Sequence, residues 1–334
     1  MRIETAKLLR APDSRSALEL ESFETAGDDV IAGRLIEKDT GMWFRIENGI
    51  ADLVPLEYRN AARYESFCRT HRLEHSPAPH GRGQKDSNTE KQISFFAEYG
   101  EGYEADVVES PFYKAFDQVT IGRWIDRNIT GGLRIVEVGC GTGRQTVPLL
   151  KAGAHVVGVD LSEELLRAAR RKILSGGYPR KADFVAGIGE KLPLCDAAFD
   201  AGVIFGSLHH FSDPPAALLG IARAVKPKGH FYLMEPHKSP VRFIFDWIMR
   251  RWTLWEEDAN EDPLFTAEQF QRWLGAGGFT AEIGYSTYLP PHLFYLLDKT
   301  NGAKLLAATD ALFNAIPAVR KLGGVIIADA VKSR

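Results

Sequence analysis

The sequence predicts an α/β fold: a mostly parallel sheet with helices on both faces, preceded by a small β-rich N-terminal unit. Three observations carry this reading. From about Ser94 onward, short apolar runs of strand character alternate with helical patterns. The first of those runs ends in closely spaced glycines, IVEVGCGTGRQT, which turn the chain into a helix. Ahead of both, residues 1–58 hold several short β-like stretches broken by turn signals.

In chain order, Ala17–Phe23 and Val30–Ile36 read as strands leading to a turn at Asp39-Thr40-Gly41. Met42–Ile46 then reaches Asn48-Gly49, a strong hairpin signal. Residues 71–92 carry Pro, Gly, Ser, Asn and charge with almost nothing apolar, the composition of a flexible linker. His71, His75 and His80 lie in or beside it, with no cysteine or carboxylate constellation to make a metal site. The expected division is a unit at 1–58, a linker at 59–92 and one large domain at 93–334.

Within that domain, helical signals at Ile93–Tyr103 and Pro111–Asn128 precede the strand Leu133–Val138 and a helix at Gln145–Ala152. The strand His155–Val159 and the helix Ser162–Leu174 follow, then strands at Asp183–Ala186 and Asp200–Phe205, a helix at Pro215–Val225 and a strand at His230–Glu235. Helical insertions are expected at about 238–276 and 289–321. The first is dense in aromatics (Phe243, Phe245, Trp247, Trp252, Trp255) and ends in a helix capped by Thr266. Strands near Thr280–Tyr288 and at Gly324–Ala328 complete the sheet.

Composition bounds the function. The 334 residues carry 41 Lys+Arg against 44 Asp+Glu, a net charge of −3, which lacks the basic footprint of a nucleic-acid binder. Three scattered cysteines cannot make a disulfide framework, and no apolar run approaches the ~20 residues of a membrane span. No signal peptide is evident at the N-terminus, so the expectation is a cytoplasmic protein.

The chemistry concentrates around the glycine turn. Without Cβ atoms at Gly139, Gly141 and Gly143, backbone can approach a ligand closely, and the following helix offers free N–H groups. A dinucleotide fingerprint would place its third glycine or alanine at position 144, where this chain has Arg144. Glu137 adds an acidic group just before the turn. Asp160, at the end of the second strand, is placed to accept hydrogen bonds from both ribose hydroxyls of an adenosine. An adenosyl ligand without a pyrophosphate fits this pattern.

Over about Arg134–His237 the chain resembles the class I S-adenosylmethionine (SAM)-dependent methyltransferases, in the branch that includes ubiquinone-biosynthesis and other small-molecule methyltransferases. The segments carrying the resemblance are RIVEVGCGTGRQT, HVVGVDLSEELL, EKLPLCDAAFD and GSLHHFSDPPAALLGIARAVKPKGHFYLMEP. It implies a Rossmann-like, seven-stranded, mostly parallel sheet, with SAM as cofactor, S-adenosylhomocysteine as product and no metal. It also implies that Glu137, Gly139, Gly141 and Gly143 surround the amino-acid part of SAM. Asp160 would hold the ribose and Leu161 would pack on the adenine. Ile188-Gly189 would border the adenine edge, and Phe205-Gly206 would line the methionyl side. The chain departs from the family at Ile188, where an acidic residue usually accepts a bond from the adenine amino group, and at Lys228-Gly229, where Gly-Gly is usual.

Methyl transfer from a sulfonium is an in-line displacement, in which the protein aligns the groups and removes a proton from an acidic acceptor. The candidate bases are His209 and His210 after the fourth strand of the large domain and Glu235 and His237 after the fifth. His209-His210 also fits the role of a loop anchor. The basic run from Arg167 to Lys172 reads as a solvated helix face. The aromatic insertion suggests a hydrophobic or aromatic acceptor methylated at oxygen or carbon. The second insertion reads as a lid or dimer contact, and weak peripheral membrane contact and a homodimer stay open.

The segment Leu8–Pro55 resembles the small zinc-ribbon-like domain that precedes some bacterial methyltransferases and also serves tRNA and protein methyltransferases as a free partner. Leu9, Pro12, Leu18, Phe44, Ile46, Gly49 and Ile50 fit it. Where that family has two Cys-x-x-Cys pairs, this chain reads Ala11, Ser14, Glu37 and Thr40, so a metal-free ribbon acting as a docking or lid module is expected. Two other readings remain at this level: a tRNA- or protein-directed methyltransferase, and a non-catalytic SAM-binding scaffold.

Overall fold

The computed structural model describes residues 1–74, 85–103, 109–178, 181–253 and 263–333. His75, His80 and Trp255 lie outside the described residues. A short helix α1 (Ile3–Ala6) opens the chain, followed by strands β1 (Leu18–Ala26), β2 (Asp29–Glu37), β3 (Trp43–Glu47) and β4 (Ile50–Asp52). Helices α2 (Ala61–His71), α3 (Ser87–Tyr103), α4 (Pro111–Val119) and α5 (Ile121–Asn128) come next. The alternating part runs β5 (Arg134–Val138), α6 (Thr146–Lys151), β6 (His155–Asp160), α7 (Glu163–Ser175), β7 (Ala182–Ala186), β8 (Phe199–Phe205), α8 (Pro214–Ala224) and β9 (Val225–Pro236). It closes with α9 (Arg242–Arg251), α10 (Ala267–Ala276), β10 (Phe279–Ser286), α11 (Lys299–Asn314) and β11 (Val325–Lys332).

Among the described residues the strands form one eleven-stranded sheet in the order β1-β2-β3-β4-β7-β6-β5-β8-β9-β11-β10. This replaces the expected seven-stranded sheet beside a separate N-terminal unit. Asn48 and Gly49 both adopt the left-handed conformation (φ 52° and 72°), so β3 folds back as β4 through a two-residue turn. The outer edge of β4 then pairs in parallel with β7, Ala51 opposite Val185. The N-terminal strands also share a core with the rest: Leu9, Leu35, Phe44 and Leu53 belong to the same apolar cluster as Val136, Val157, Leu192 and Leu194.

A charged seam reinforces this union. Arg45, with only 1% of its side chain exposed, pairs with Asp52, Glu47 and Glu163, and Arg63 of α2 meets Glu163 and Glu164 in the first turn of α7. Burying so many charges is tolerable only because each has an opposite partner.

The expected linker is partly helical. Tyr64, Phe67 and Cys68 recur at helical spacing in α2, and the rings of Tyr64 and Phe67 pack on Trp43 at 5.6 and 6.1 Å between centroids. Likewise α3 begins at Ser87, inside the expected linker. The helical stretch Pro111–Asn128 divides at Thr120, whose backbone (φ −102°, ψ −95°) leaves the helical region between α4 and α5.

The four ribbon positions lie on two facing turns. The Ser14 hydroxyl donates to Glu37 Oε1, the Thr40 hydroxyl donates to Glu37 Oε2 at 2.8 Å, and Glu37 is 2% exposed. Ala11 accepts from the Arg15 N–H and closes the first turn. Among the described residues, no group of His, Cys, Asp and Glu could hold a metal ion.

Candidate functional site

The turn after β5 takes the shape its glycines permit. Gly139, Gly141 and Gly143 have φ of 71°, 51° and 78°, a region that costs other L-residues strain. A Cβ on Gly139 would run into the Ser207 side chain, so that position is closed to anything larger. At the end of β6, the Asp160 carboxylate accepts the N–H groups of Gly141 (2.8 Å) and Ser162 (2.9 Å) and so ties the two strand ends together. Burial pushes the Asp160 carboxyl upward, against the lowering effect of these bonds.

Above these strand ends opens a cavity of about 1010 Å³. Gly139, Gly141, Asp160 and Leu161 line it from the first two strands of the alternating part, Ile188 and Gly189 from the loop after β7, and Phe205, Gly206, His209 and His210 from β8 and its loop. Further wall comes from α3 and α4, from α9 (Phe245, Ile248 and Met249 beside the charged Arg242, Asp246 and Arg250) and from Tyr288 and Leu289. The volume is that of a drug-sized ligand site or larger, room for a nucleoside and a second small molecule.

Four sequence candidates do not line this cavity. Glu137 turns behind the glycine turn, where it accepts the Thr146 hydroxyl at 2.5 Å; burial pushes its carboxyl up to about 8, with Asp160 adding to the rise. Gly143 packs near Ala169 on the α7 side. Glu235 is fully buried, accepts the backbone N–H groups of Ser207 (3.0 Å) and Leu208 (2.6 Å), and meets His209 Nδ1 at 2.6 Å. His237 bonds through Nδ1 to the Gly323 carbonyl at 2.8 Å, its ring against Tyr285. The strand pleat explains the last two: Met234 and Pro236 of β9 line the cavity, so Glu235 and His237 face the other way.

His209 and His210 are thus differently placed. Glu235 fixes the orientation of the His209 ring through Nδ1. His210 is held neutral by burial, with the neighbouring His209 adding to the effect, and its Nδ1 has no hydrogen-bond partner.

Sequence reasoning missed several cavity residues. Arg144 is clamped by Asp117 and lies over the rings of Tyr113 (4.3 Å) and Phe205 (5.1 Å). Ser207, which donates to the Val138 carbonyl at 3.1 Å, locks the loop after β8 against the glycine turn. Arg242 pairs with Asp246 across one turn of α9, and Gln92 projects from α3. Only Arg144 had a local signal, its break from the dinucleotide spacing.

The aromatic insertion divides by face. Phe245, Ile248 and Met249 line the cavity, whereas Phe243 and Trp247 are 68% and 64% exposed. No helix among the described residues is long and apolar enough to cross a membrane.

The residues able to hold SAM fit it. Asp160 retains lone pairs for ribose hydroxyl donors, the glycine turn admits close backbone approach, and Leu161 and Ile188 supply an apolar surface for a base.

Comparison with known proteins agrees. Residues 136–233 match a family model described as a methyltransferase domain. The chain is similar to a demethylmenaquinone methyltransferase of Corynebacterium kroppenstedtii, 35% identical over 42% of this chain and 62% of that protein. It is also similar to a ubiquinone biosynthesis O-methyltransferase of Dechloromonas aromatica, 34% identical over 36% and 53%. The chain thus spans between about half and two thirds of these relatives. In fold it is similar to a Haemonchus contortus phosphoethanolamine N-methyltransferase 2 bound to phosphomonomethylethanolamine and S-adenosylhomocysteine, with a TM-score of 0.52 at 17% identity over 75% of this chain and 61% of that one. A chain from a Haloferax volcanii complex of the Trm112 methyltransferase activator gives a TM-score of 0.50 at 17% identity, over 73% and 97%. The segment 136–233 thus matches a methyltransferase domain and lies within an α/β Rossmann-like sheet.

Proposed function

We propose that this chain transfers a methyl group from SAM to an oxygen or carbon of a small, hydrophobic or aromatic acceptor. The observation that carries the reading is one cavity that joins an adenosyl-type strand-end site (Gly139, Gly141, Asp160) to a wall from α9 that includes Phe245, Ile248 and Met249. The quinone-biosynthesis names of the similar proteins support the small-molecule class. When bound, SAM supplies an electrophilic methyl group on a sulfonium sulfur.

In this reading Gly139 and Gly141 present backbone to the amino-acid part, Asp160 accepts the ribose hydroxyls, and Leu161, Ile188 and Gly189 border the base. Phe205 and Gly206 line the side that carries the sulfur. His209 takes the acceptor's proton at Nε2, while Glu235 orients the imidazole and balances the positive charge it gains. The wall formed by Phe245, Ile248, Met249 and Tyr288 excludes water and holds an apolar ring. Glu137 and Gly143 shape the turn, and His237 braces β9 against the segment before β11. The hydrogen bonds of Ser14 and Thr40 to the buried Glu37 support a ribbon that keeps its form without zinc and serves as a fixed extension of the sheet. The outward aromatics of α9, beside Arg250 and Arg251, suit a brief peripheral contact with a lipid surface that stores such acceptors.

The test is a radiolabelled methyl-transfer screen of quinols, phenols, lipids and tRNA. Transfer to a phenol or quinol is expected. His209→Ala should lower kcat by about 10²-fold or more with cofactor affinity nearly unchanged. Transfer to tRNA alone, or a His209→Ala enzyme of full activity, would overturn the acceptor or the base assignment respectively.

A further inference from the structure

The adenosyl end of the cavity lacks one polar group and holds another without a partner. Ile188 offers no acceptor where the resembled family has a carboxylate. Glu190, two residues on, commits Oε1 to the N–H groups of Ser212 (2.9 Å) and Asp213 (3.4 Å). Facing this loop, α3 carries Thr89, Gln92 and Phe96 on one side, at positions three and four apart. The Thr89 hydroxyl lies 3.2 Å from Ser212 Oγ, and the Phe96 ring meets the His210 ring edge-on at 5.3 Å. Gln92 sits between these two anchors, lines the cavity and is 7% exposed, and its Oε1 has no hydrogen-bond partner among the described residues. His210 Nδ1 is buried without a partner on the same rim. Buried polar atoms are rarely left in that state, because they give up water without compensation. A ligand with a donor at this rim resolves it.

We propose that Gln92 Oε1 accepts the exocyclic amino group of the adenine, a specificity contact supplied by α3 in place of the acidic residue absent at 188. The inference rests on the SAM reading of the cavity. It also moves base recognition onto a helix outside the 136–233 segment that matches the methyltransferase domain. The rest of the site reads as before: Asp160 selects the ribose, the glycine turn the amino-acid part, and Gln92 the base.

The experiment is calorimetric titration of the full chain with S-adenosyl-L-homocysteine and with its 6-deamino purine analogue, which lacks the donor. The wild-type protein should bind the amino form about tenfold more tightly, one hydrogen bond's worth of discrimination. Gln92→Leu should bring the two ligands within about twofold of each other by weakening the amino form. Gln92→Glu, which keeps an acceptor at the same reach, should retain the preference. Gln92→Ser reports the same levelling should the leucine variant fail to fold. A leucine or serine variant that keeps the full preference, or a wild-type protein with none, overturns the proposal. A wild-type protein that binds neither nucleoside overturns the SAM reading itself, a result distinct from the loss of base selectivity.

Discussion

Glu137 and Asp160 are two carboxyls near one turn, and burial raises both from their ordinary values. Only Asp160 lines the cavity. With Glu137 pushed up to about 8, the folded state holds a proton that the unfolded chain releases near pH 4. Its contribution to stability is therefore complete at low pH and is lost as pH rises through about 8. Glu137→Gln keeps an acceptor for Thr146 but cannot ionise. Thermal unfolding should show the wild-type protein losing several degrees of Tm between pH 6 and pH 9, with a clearly smaller loss in the glutamine variant. Equal losses would show that Glu137 is already charged at pH 6. The sequence made Asp160 and the glycines legible, because strand-end position and missing Cβ atoms are local properties. Glu235 and His237 were legible only as residues at the correct end of β9. Which pleat parity faces the cavity depends on register against β8 and β11, which one strand read alone does not contain.

Among the elements, the β3–β4 hairpin was announced by Asn48-Gly49 and the α10 helix by its Thr266 cap, now a complete capping box with Gln269. The same local reading took α2 for linker, since its apolar residues are few and only the presence of Trp43 shows what they pack on. The ribbon turns show a different limit. Ala11, Ser14, Glu37 and Thr40 were readable as absent thiolates, but not as a hydrogen-bonded substitute. Glu37→Ala removes the buried acceptor of two surface hydroxyls and should cost about 1–2 kcal/mol. Urea unfolding should show a lower midpoint with an unchanged m-value. A variant as stable as wild type would mean that the cluster is not what holds the two turns together.

For the whole molecule, the alternation of strands and helices gave the parallel centre of the sheet, while its true extent depended on pairing across chain segments far apart in sequence. β4 on β7, the shared core and the Arg45–Glu163 pair make residues 1–58 part of the same folded body as the glycine turn. The wild-type protein should therefore unfold with residues 1–58 and the glycine-turn region in one step, and Glu37→Ala should lower that whole transition rather than split off an early one. Calorimetry showing two well-separated transitions would contradict this. Arg63 of α2 pairs with Glu163 and Glu164 in the first turn of α7, which directly follows Asp160 and Leu161.

Isothermal titration with S-adenosyl-L-homocysteine shows whether this strand-end cavity is built for SAM. One molecule should bind per chain, and Asp160→Ala should weaken binding at least about tenfold through lost charge-assisted bonds to the ribose. No binding by the wild-type protein, or unchanged affinity in a folded Asp160→Ala variant, would contradict that reading.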